Sequence, residues 1–238
     1  MSESQPGLRP DPGSPAPQSP SRSTVRLVLA VSLDGRLAPP EGGAAQLGGP
    51  GDRRMLEEAL AWADGCLIGA ETLRRHRTTC LIRDPDLLEA RRAADRSPQP
   101  VAVVVSGSGR WPQDLPFFGQ PLRRWWLQGE PVASRAPGPA PGFERCLPLR
   151  GWEQAIAALA DAGLERLVLL GGARLAQDLL AAALVDELQL TLVPRLLGGA
   201  HAWLPLVGAG LPAGTWRLQE HRPLLEGELL LRYERAPG

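Results

Sequence analysis

The sequence predicts an α/β fold: three layers around a mixed, mostly parallel sheet that finishes in a C-terminal antiparallel hairpin. Three observations carry that expectation. Short apolar runs alternate with amphipathic stretches through most of the chain, as strand–helix–strand crossovers require. The stretch Leu167-Val-Leu-Leu-Gly-Gly-Ala-Arg-Leu-Ala-Gln-Asp-Leu-Leu180 reads as a strand covered on both faces that turns through two glycines straight into a helix. The last two strand-like segments, Trp216–His221 and Glu226–Tyr233, follow each other with no helical pattern between them.

Each element has a local reason. Met1 to Ser23 is rich in Pro, Ser, Gly and Gln and almost free of apolar residues, so it is expected as a disordered tail before a single domain over residues 24–236. Val25–Val31 is a strand, stopped by the turn signal Asp34-Gly35 within Ser32-Leu-Asp-Gly-Arg36. Pro39–Gly51 is a Gly/Pro-rich loop, either a plain connection or a lid over a neighbouring site. Asp52 is expected to cap a helix reaching about Ala63, with Met55, Leu56, Ala59, Leu60 and Ala63 on one face. Gly65–Leu73 repeats the strand–glycine–helix plan: a strand at Cys66–Ile68, then Gly69, then a helix start at Glu71-Thr72. Asp86–Ala94 is a polar helix, and Val101–Val105 is a buried strand followed by Ser106-Gly-Ser-Gly-Arg110. Trp125–Leu127 and Phe143–Leu147 are shorter strands around a Pro/Gly-rich insertion at Gly129–Gly142. Trp152–Ala162 and Ala173–Leu184 are helices. Leu188, Leu190 and Leu192 alternate with Gln189 and Thr191 in a strand that runs to Pro194.

Composition narrows the function. The 26 basic and 26 acidic residues balance, which argues against nucleic acid or an anionic membrane as partner. No apolar run approaches the roughly 20 residues that span a bilayer, and no secretory pattern opens the chain, so a cytoplasmic protein is expected. All the basic residues other than histidine are arginine. Chemistry that needs a lysine, such as a P-loop, a Schiff base or a pyridoxal anchor, is therefore excluded. Cys66, Cys80 and Cys146 are far apart, as are His76, His201 and His221, so no metal site is expected. What remains is chemistry done by an organic cofactor or by carboxylates.

Two places suit a nucleotide. Gly171 and Gly172 carry no Cβ, and the helix that follows directs free N–H groups and a partial positive charge at the turn, a fit for a pyrophosphate. The same glycines would also let a helix pack closely on a sheet. Ser106, Gly107 and Arg110 could recognise a cofactor 2′-phosphate or simply form a turn. The basic run Arg74, Arg75, His76, Arg77 and Arg83 is either solvated surface or a phosphate-binding wall.

Laid out in this order, the residues resemble the riboflavin-biosynthesis reductases, the C-terminal half of bacterial bifunctional deaminase-reductases, which have a dihydrofolate-reductase-like fold. The matching motifs are Ser32-Leu-Asp-Gly-Arg36, Ile68-Gly-Ala-Glu-Thr72, Gly171-Gly172, Leu184-Val-Asp-Glu-Leu188 and Pro194-Arg-Leu-Leu-Gly-Gly199, spread over about residues 25–234. The zinc motifs of the deaminase half are absent. The resemblance implies a homodimer that binds NADPH and delivers hydride to the ribose C1 of a phosphoribosylamino-pyrimidine, as 5-amino-6-(5-phosphoribosylamino)uracil reductase does, giving the ribitylamino product. By position it implies that Val31, Gly69, Thr72, Ser106, Gly107, Gly171, Gly172, Ala173, Arg174 and Leu175 line the cofactor. Asp34, Gln46 and Arg83 would face the substrate.

The substrate side departs from the family pattern. Where the family reads Asp-Asp-Pro-x-Leu-Thr-x-Arg, this chain has His76-Arg-Thr-Thr-Cys-Leu-Ile-Arg83. Arg83 keeps the place of a phosphate-binding arginine, while His76 and Arg77 replace two acids. Leu170 stands where a glutamate precedes the paired glycines, and an arginine usual in the preceding helix is missing near Ala61. His76 is the candidate catalytic proton donor, or else a surface histidine in an arginine-rich turn. Two other readings stay open: a reductase of the same fold with another pterin-like or carbonyl substrate, and a non-catalytic nucleotide-binding dimer.

Overall fold

The computed structural model describes residues 22–42, 47–112, 114–129, 140–204 and 214–236. In chain order the elements are β1 (Thr24–Ser32), α1 (Pro50–Trp62), β2 (Gly65–Gly69), α2 (Ala70–His76), α3 (Pro85–Ala93), β3 (Val101–Ser106), β4 (Arg124–Gln128) and β5 (Arg145–Pro148). They continue with α4 (Trp152–Asp161), β6 (Arg166–Leu169), α5 (Ala173–Ala181), β7 (Glu187–Val193), β8 (Trp216–Pro223) and β9 (Leu229–Arg235).

The strands form one sheet in the order β5-β4-β3-β2-β6-β1-β7-β9-β8. Pairing is parallel from β5 through β7 and antiparallel for β7–β9 and β8–β9. The expected mixed sheet with a terminal hairpin is what the chain forms. Its alternating side chains divide between two cores. Leu27, Leu67, Val103, Leu127 and Leu169 point to one face and meet Ile156 and Leu159 of α4 and Leu179 of α5. On the other face, Ile68 and Val104 pack with Leu60 and Leu73, and Val28 and Val168 lie under Ala59 and Ala63 of α1. Each of these buried leucines contributes about 2 kcal/mol by leaving water.

Several boundaries differ from expectation, each for a physical reason. Asp52 does not cap α1. The helix starts at Pro50, whose fixed φ and missing N–H suit the first turn, and its N-cap Gly49 makes no side-chain cap. The free N–H groups of Gly49 and Asp52 are instead taken by the Glu228 carboxylate, at 2.6 and 3.1 Å. At the other end of α1, Arg91 donates to the carbonyls of Leu60, Ala61 and Ala63, and Arg96 to those of Ala61, Trp62 and Ala63. Helix α5 stops at Ala181 instead of Leu184, because Ala183 takes a left-handed turn (φ 58°) and sends Leu184 and Val185 into the core. Phe143 and Glu226 lie in turns just before β5 and β9. Arg22 and Ser23, assigned above to the tail, are anchored: Arg22 pairs with Asp186 at 2.6 Å, and the buried Ser23 hydroxyl donates to the Leu164 carbonyl at 2.7 Å. The rest of that tail, residues 1–21, and most of the Gly129–Gly142 insertion lie outside the described residues.

Candidate active site

Strands β3, β2, β6 and β1 are neighbours in the sheet and run parallel, so their carboxyl ends make one continuous edge. Helices α2 and α5 both begin at that edge. Gly171 and Gly172 turn β6 into α5 at φ 68° and 92°, a region that disfavours any side chain. A Cβ on Gly172 would stand 3.0 Å from Thr72 Oγ1, and one on Gly171 would stand 3.2 Å from Leu29. A Cβ on Gly69 would lie 3.9 Å from both Thr72 Oγ1 and Leu175. Thus Gly69, Thr72, Gly171, Gly172 and Leu175, distant in sequence, converge on one spot. No side chain caps α5, which leaves its first N–H groups facing the same spot. Ala173 is half-buried and Arg174 exposed on the first turn of α5, while Val31 is buried in the core beneath the edge.

At the end of β3, the buried Ser106 folds the following loop back on itself. Its Oγ accepts the N–H groups of Ser108 and Gly109, each at 3.3 Å, and its carbonyl accepts Trp126 Nε1 at 3.2 Å. Gly107 is exposed on this loop. Beside it opens a hollow of about 710 Å³ lined by Arg74, Ser108, Gly109, Arg110, Trp111 and Pro112. Arg74 and Arg110 are 36 residues apart, so nothing in the local sequence pattern pairs them.

The substrate-side residues are more scattered. The Asp34 carboxylate accepts the Ser32 hydroxyl at 2.5 Å and the N–H groups of Leu197 and Gly198 at 3.1 and 2.7 Å. These donors hold its pKa down at about 2. Asp34 is thus a clamp between the loops that follow β1 and β7. Arg83 is exposed, positioned through its backbone N–H, which the buried Glu57 accepts at 2.8 Å. Of the basic run, Arg74 and Arg75 both pair with Glu71 at 3.1 Å and Arg77 with Asp114 at 3.0 Å, all at the surface. His76 is exposed on the last turn of α2, and Gln46 lies outside the described residues. Among the described residues no group of three or more His, Cys, Asp or Glu could hold a metal ion.

Fold and edge together define the class: a dihydrofolate-reductase-like scaffold whose glycine turns gather at the carboxyl ends of its parallel strands. A dihydrofolate reductase of Enterococcus faecalis, solved with NADP(H), superposes with a TM-score of 0.53 at 14% identity, covering 90% of this chain and 97% of that one. A pyrimidine reductase-like protein of Corynebacterium diphtheriae superposes with a TM-score of 0.75 at 19% identity, covering 91% and 93%. Residues 23–230 match the model of the RibD C-terminal domain, and the chain belongs to that family. It is 30% identical to the 2,5-diamino-6-ribosylamino-4(3H)-pyrimidinone 5′-phosphate reductase of Methanothermobacter thermautotrophicus, over 88% of this chain and 96% of that protein.

Proposed function

We propose that this chain is an NADPH-dependent reductase of riboflavin biosynthesis, working in the cytoplasm as a homodimer on a ribosylamino-pyrimidine phosphate. The observation that carries the cofactor reading is the convergence of Thr72 and the Gly171–Gly172 turn at the uncapped start of α5. Only a glycine leaves the space above Thr72 open, and the helix N–H groups and dipole suit a pyrophosphate there. Gly69, Gly171, Gly172, Ala173 and Leu175 would hold the dinucleotide, which supplies the hydride when bound. Arg74, Ser108 and Arg110 around the hollow past β3 fit the extra phosphate that distinguishes NADPH from NADH.

On the substrate side, Arg83 is exposed and fixed by its backbone to α1, suitably placed to take the sugar phosphate. The work of the protein is orientation: the clamp at Asp34 shapes the loop after β1. The relative from Methanothermobacter thermautotrophicus favours the diamino-pyrimidinone as substrate over the uracil form. A second reading, reduction of another pterin-like or carbonyl compound, is favoured by Leu170, which puts an apolar side chain directly before the paired glycines.

The test is a nicotinamide-fluorescence titration followed by turnover with both pyrimidines. Micromolar binding of NADPH, weaker binding of NADH, and oxidation of NADPH with one pyrimidine are expected. Arg74→Ala and Arg110→Ala are each expected to weaken NADPH about tenfold and leave NADH unchanged. Binding without turnover of any substrate would favour a non-catalytic nucleotide-binding dimer.

A further inference from the structure

The face of the sheet that packs on α1 changes character beyond β1. Val28, Gln189, Arg232 and Glu220 form one row across β1, β7, β9 and β8. Val28 lies under Ala59 and Ala63 of α1, but toward the hairpin the row turns polar and then charged. Between the flank of α1 and the hairpin a hollow of about 170 Å³ stays open. The function proposed above makes no use of it.

Three guanidinium groups and two carboxylates line this hollow: Arg26, Arg222 and Arg232 against Glu58 and Glu220. Both carboxylates are taken up by the hairpin arginines. Glu220 accepts Arg222 Nε at 2.9 Å and pairs with Arg232 at 3.3 Å, and Glu58 pairs with Arg222 at 3.5 Å. Arg26 is held differently. It is 6% exposed, its Nε donates to Glu187 at 2.7 Å, and its guanidinium sits 3.9 Å from the centre of the Trp62 ring. Among the described residues its two Nη atoms have no acceptor, yet they are not sealed in and the side chain lines the hollow. Burial pushes the Arg26 pKa down, Glu187 opposes this, and the like charge of Arg232 lowers it further. A negative charge placed between these two arginines relieves both effects.

We propose that the hollow binds a phosphate-type oxyanion, either the free ion or the head of a small monoester. Arg26 comes from β1, Arg232 from β9 and Arg222 from β8, so the donors belong to three different strands. A tetrahedral anion turns oxygens in several directions to meet them, whereas a carboxylate offers two in one plane. The volume is well below the roughly 300 Å³ at which pockets for drug-sized ligands begin, which rules out a nucleotide. The site is also separate from the glycine turns. Arg26 lies near the start of β1, about 20 Å along the strand from its carboxyl end at Ser32. The proposal therefore stands apart from the reductase reading. Its consequence is mechanical: the bound anion ties the hairpin to the central sheet and stabilises the fold by mass action.

The test is thermal melting of the full chain against inorganic phosphate, with ionic strength held constant by sodium chloride. The melting temperature should rise and saturate, gaining about 3 °C once phosphate is about tenfold above its Kd. Arg232→Gln should weaken phosphate at least about tenfold. Arg26→Lys, which keeps the charge beside Glu187 but loses the fork, should weaken it as well. Arg83→Ala and Arg110→Ala, at the places proposed for substrate and cofactor, should leave the phosphate response as in wild type. Ribose 5-phosphate, titrated in the Arg83→Ala background, separates the two sources: tighter binding than inorganic phosphate assigns the site to a monoester, and weaker binding assigns it to the free ion. Acetate should give no shift. A phosphate shift no larger than that of chloride, one that survives Arg232→Gln unchanged, or one that acetate equals overturns the site.

Discussion

The Asp34 carboxylate accepts the Gly198 N–H at 2.7 Å, tying the loop after β1 to the loop after β7 across 164 residues of sequence. Because hydrogen bonds to the charged form depress its pKa from 3.8 to about 2, folding gains from Asp34 in full above the higher value and loses that gain as pH falls through the lower one. Asp34→Ala is expected to lower the melting temperature at pH 7, with the gap to wild type closing toward pH 2. Paired thermal melts across that range check it, and a gap that stays constant with pH would remove the clamp from the account.

Gly172 is a second point of commitment. At φ 92° an alanine is strained by about 1–2 kcal/mol, and its methyl would press on Thr72 Oγ1. Gly172→Ala should therefore melt earlier and bind NADPH about tenfold more weakly, since the methyl would fill the space proposed above for the pyrophosphate. Binding equal to wild type would show that the cofactor lies elsewhere.

Arg91 closes the carboxyl end of α1, beside the start of β2 and away from the glycine turns. It is 3% exposed and satisfies three carbonyls at the carboxyl end of α1, the helix that also carries Asp52. Arg91→Ala takes the charged donor from the Leu60 carbonyl and leaves those of Ala61 and Ala63 to Arg96 alone, and a loss of about 2 kcal/mol is expected. Chemical denaturation should show it as a lower midpoint with an unchanged slope.

His76 stands exposed at the end of α2. His76→Ala should change stability by no more than about 0.5 kcal/mol and leave kcat and its pH dependence as in wild type. A tenfold or greater loss of kcat would return the histidine to the mechanism.

Much of this molecule was legible in local sequence because local rules suffice there. Leu167–Leu169 had to be a covered strand, and Gly171–Gly172 had to turn, since apolar runs favour buried strands and glycine tolerates the left-handed region most readily. The order of strands and helices, and with it the mixed sheet, follows from those periodicities. The convergence of Gly69, Thr72 and Gly171 was legible as well, because parallel crossovers bring strand-to-helix turns to one edge.

The rest depended on contacts between segments far apart in the chain. Asp52 looks like a helix cap in sequence, yet Pro50 moved the start of α1 and Glu228, 179 residues beyond Gly49, took the cap's work. Arg74 and Arg110 likewise share a hollow only because β2 and β3 are neighbours. Sequence alone determined which segments become strands, helices and glycine turns, since those depend on periodicity and backbone freedom. Tertiary structure alone decided which carboxylates are spent on backbone N–H groups and which pair with arginines, since that depends on what each meets across the fold.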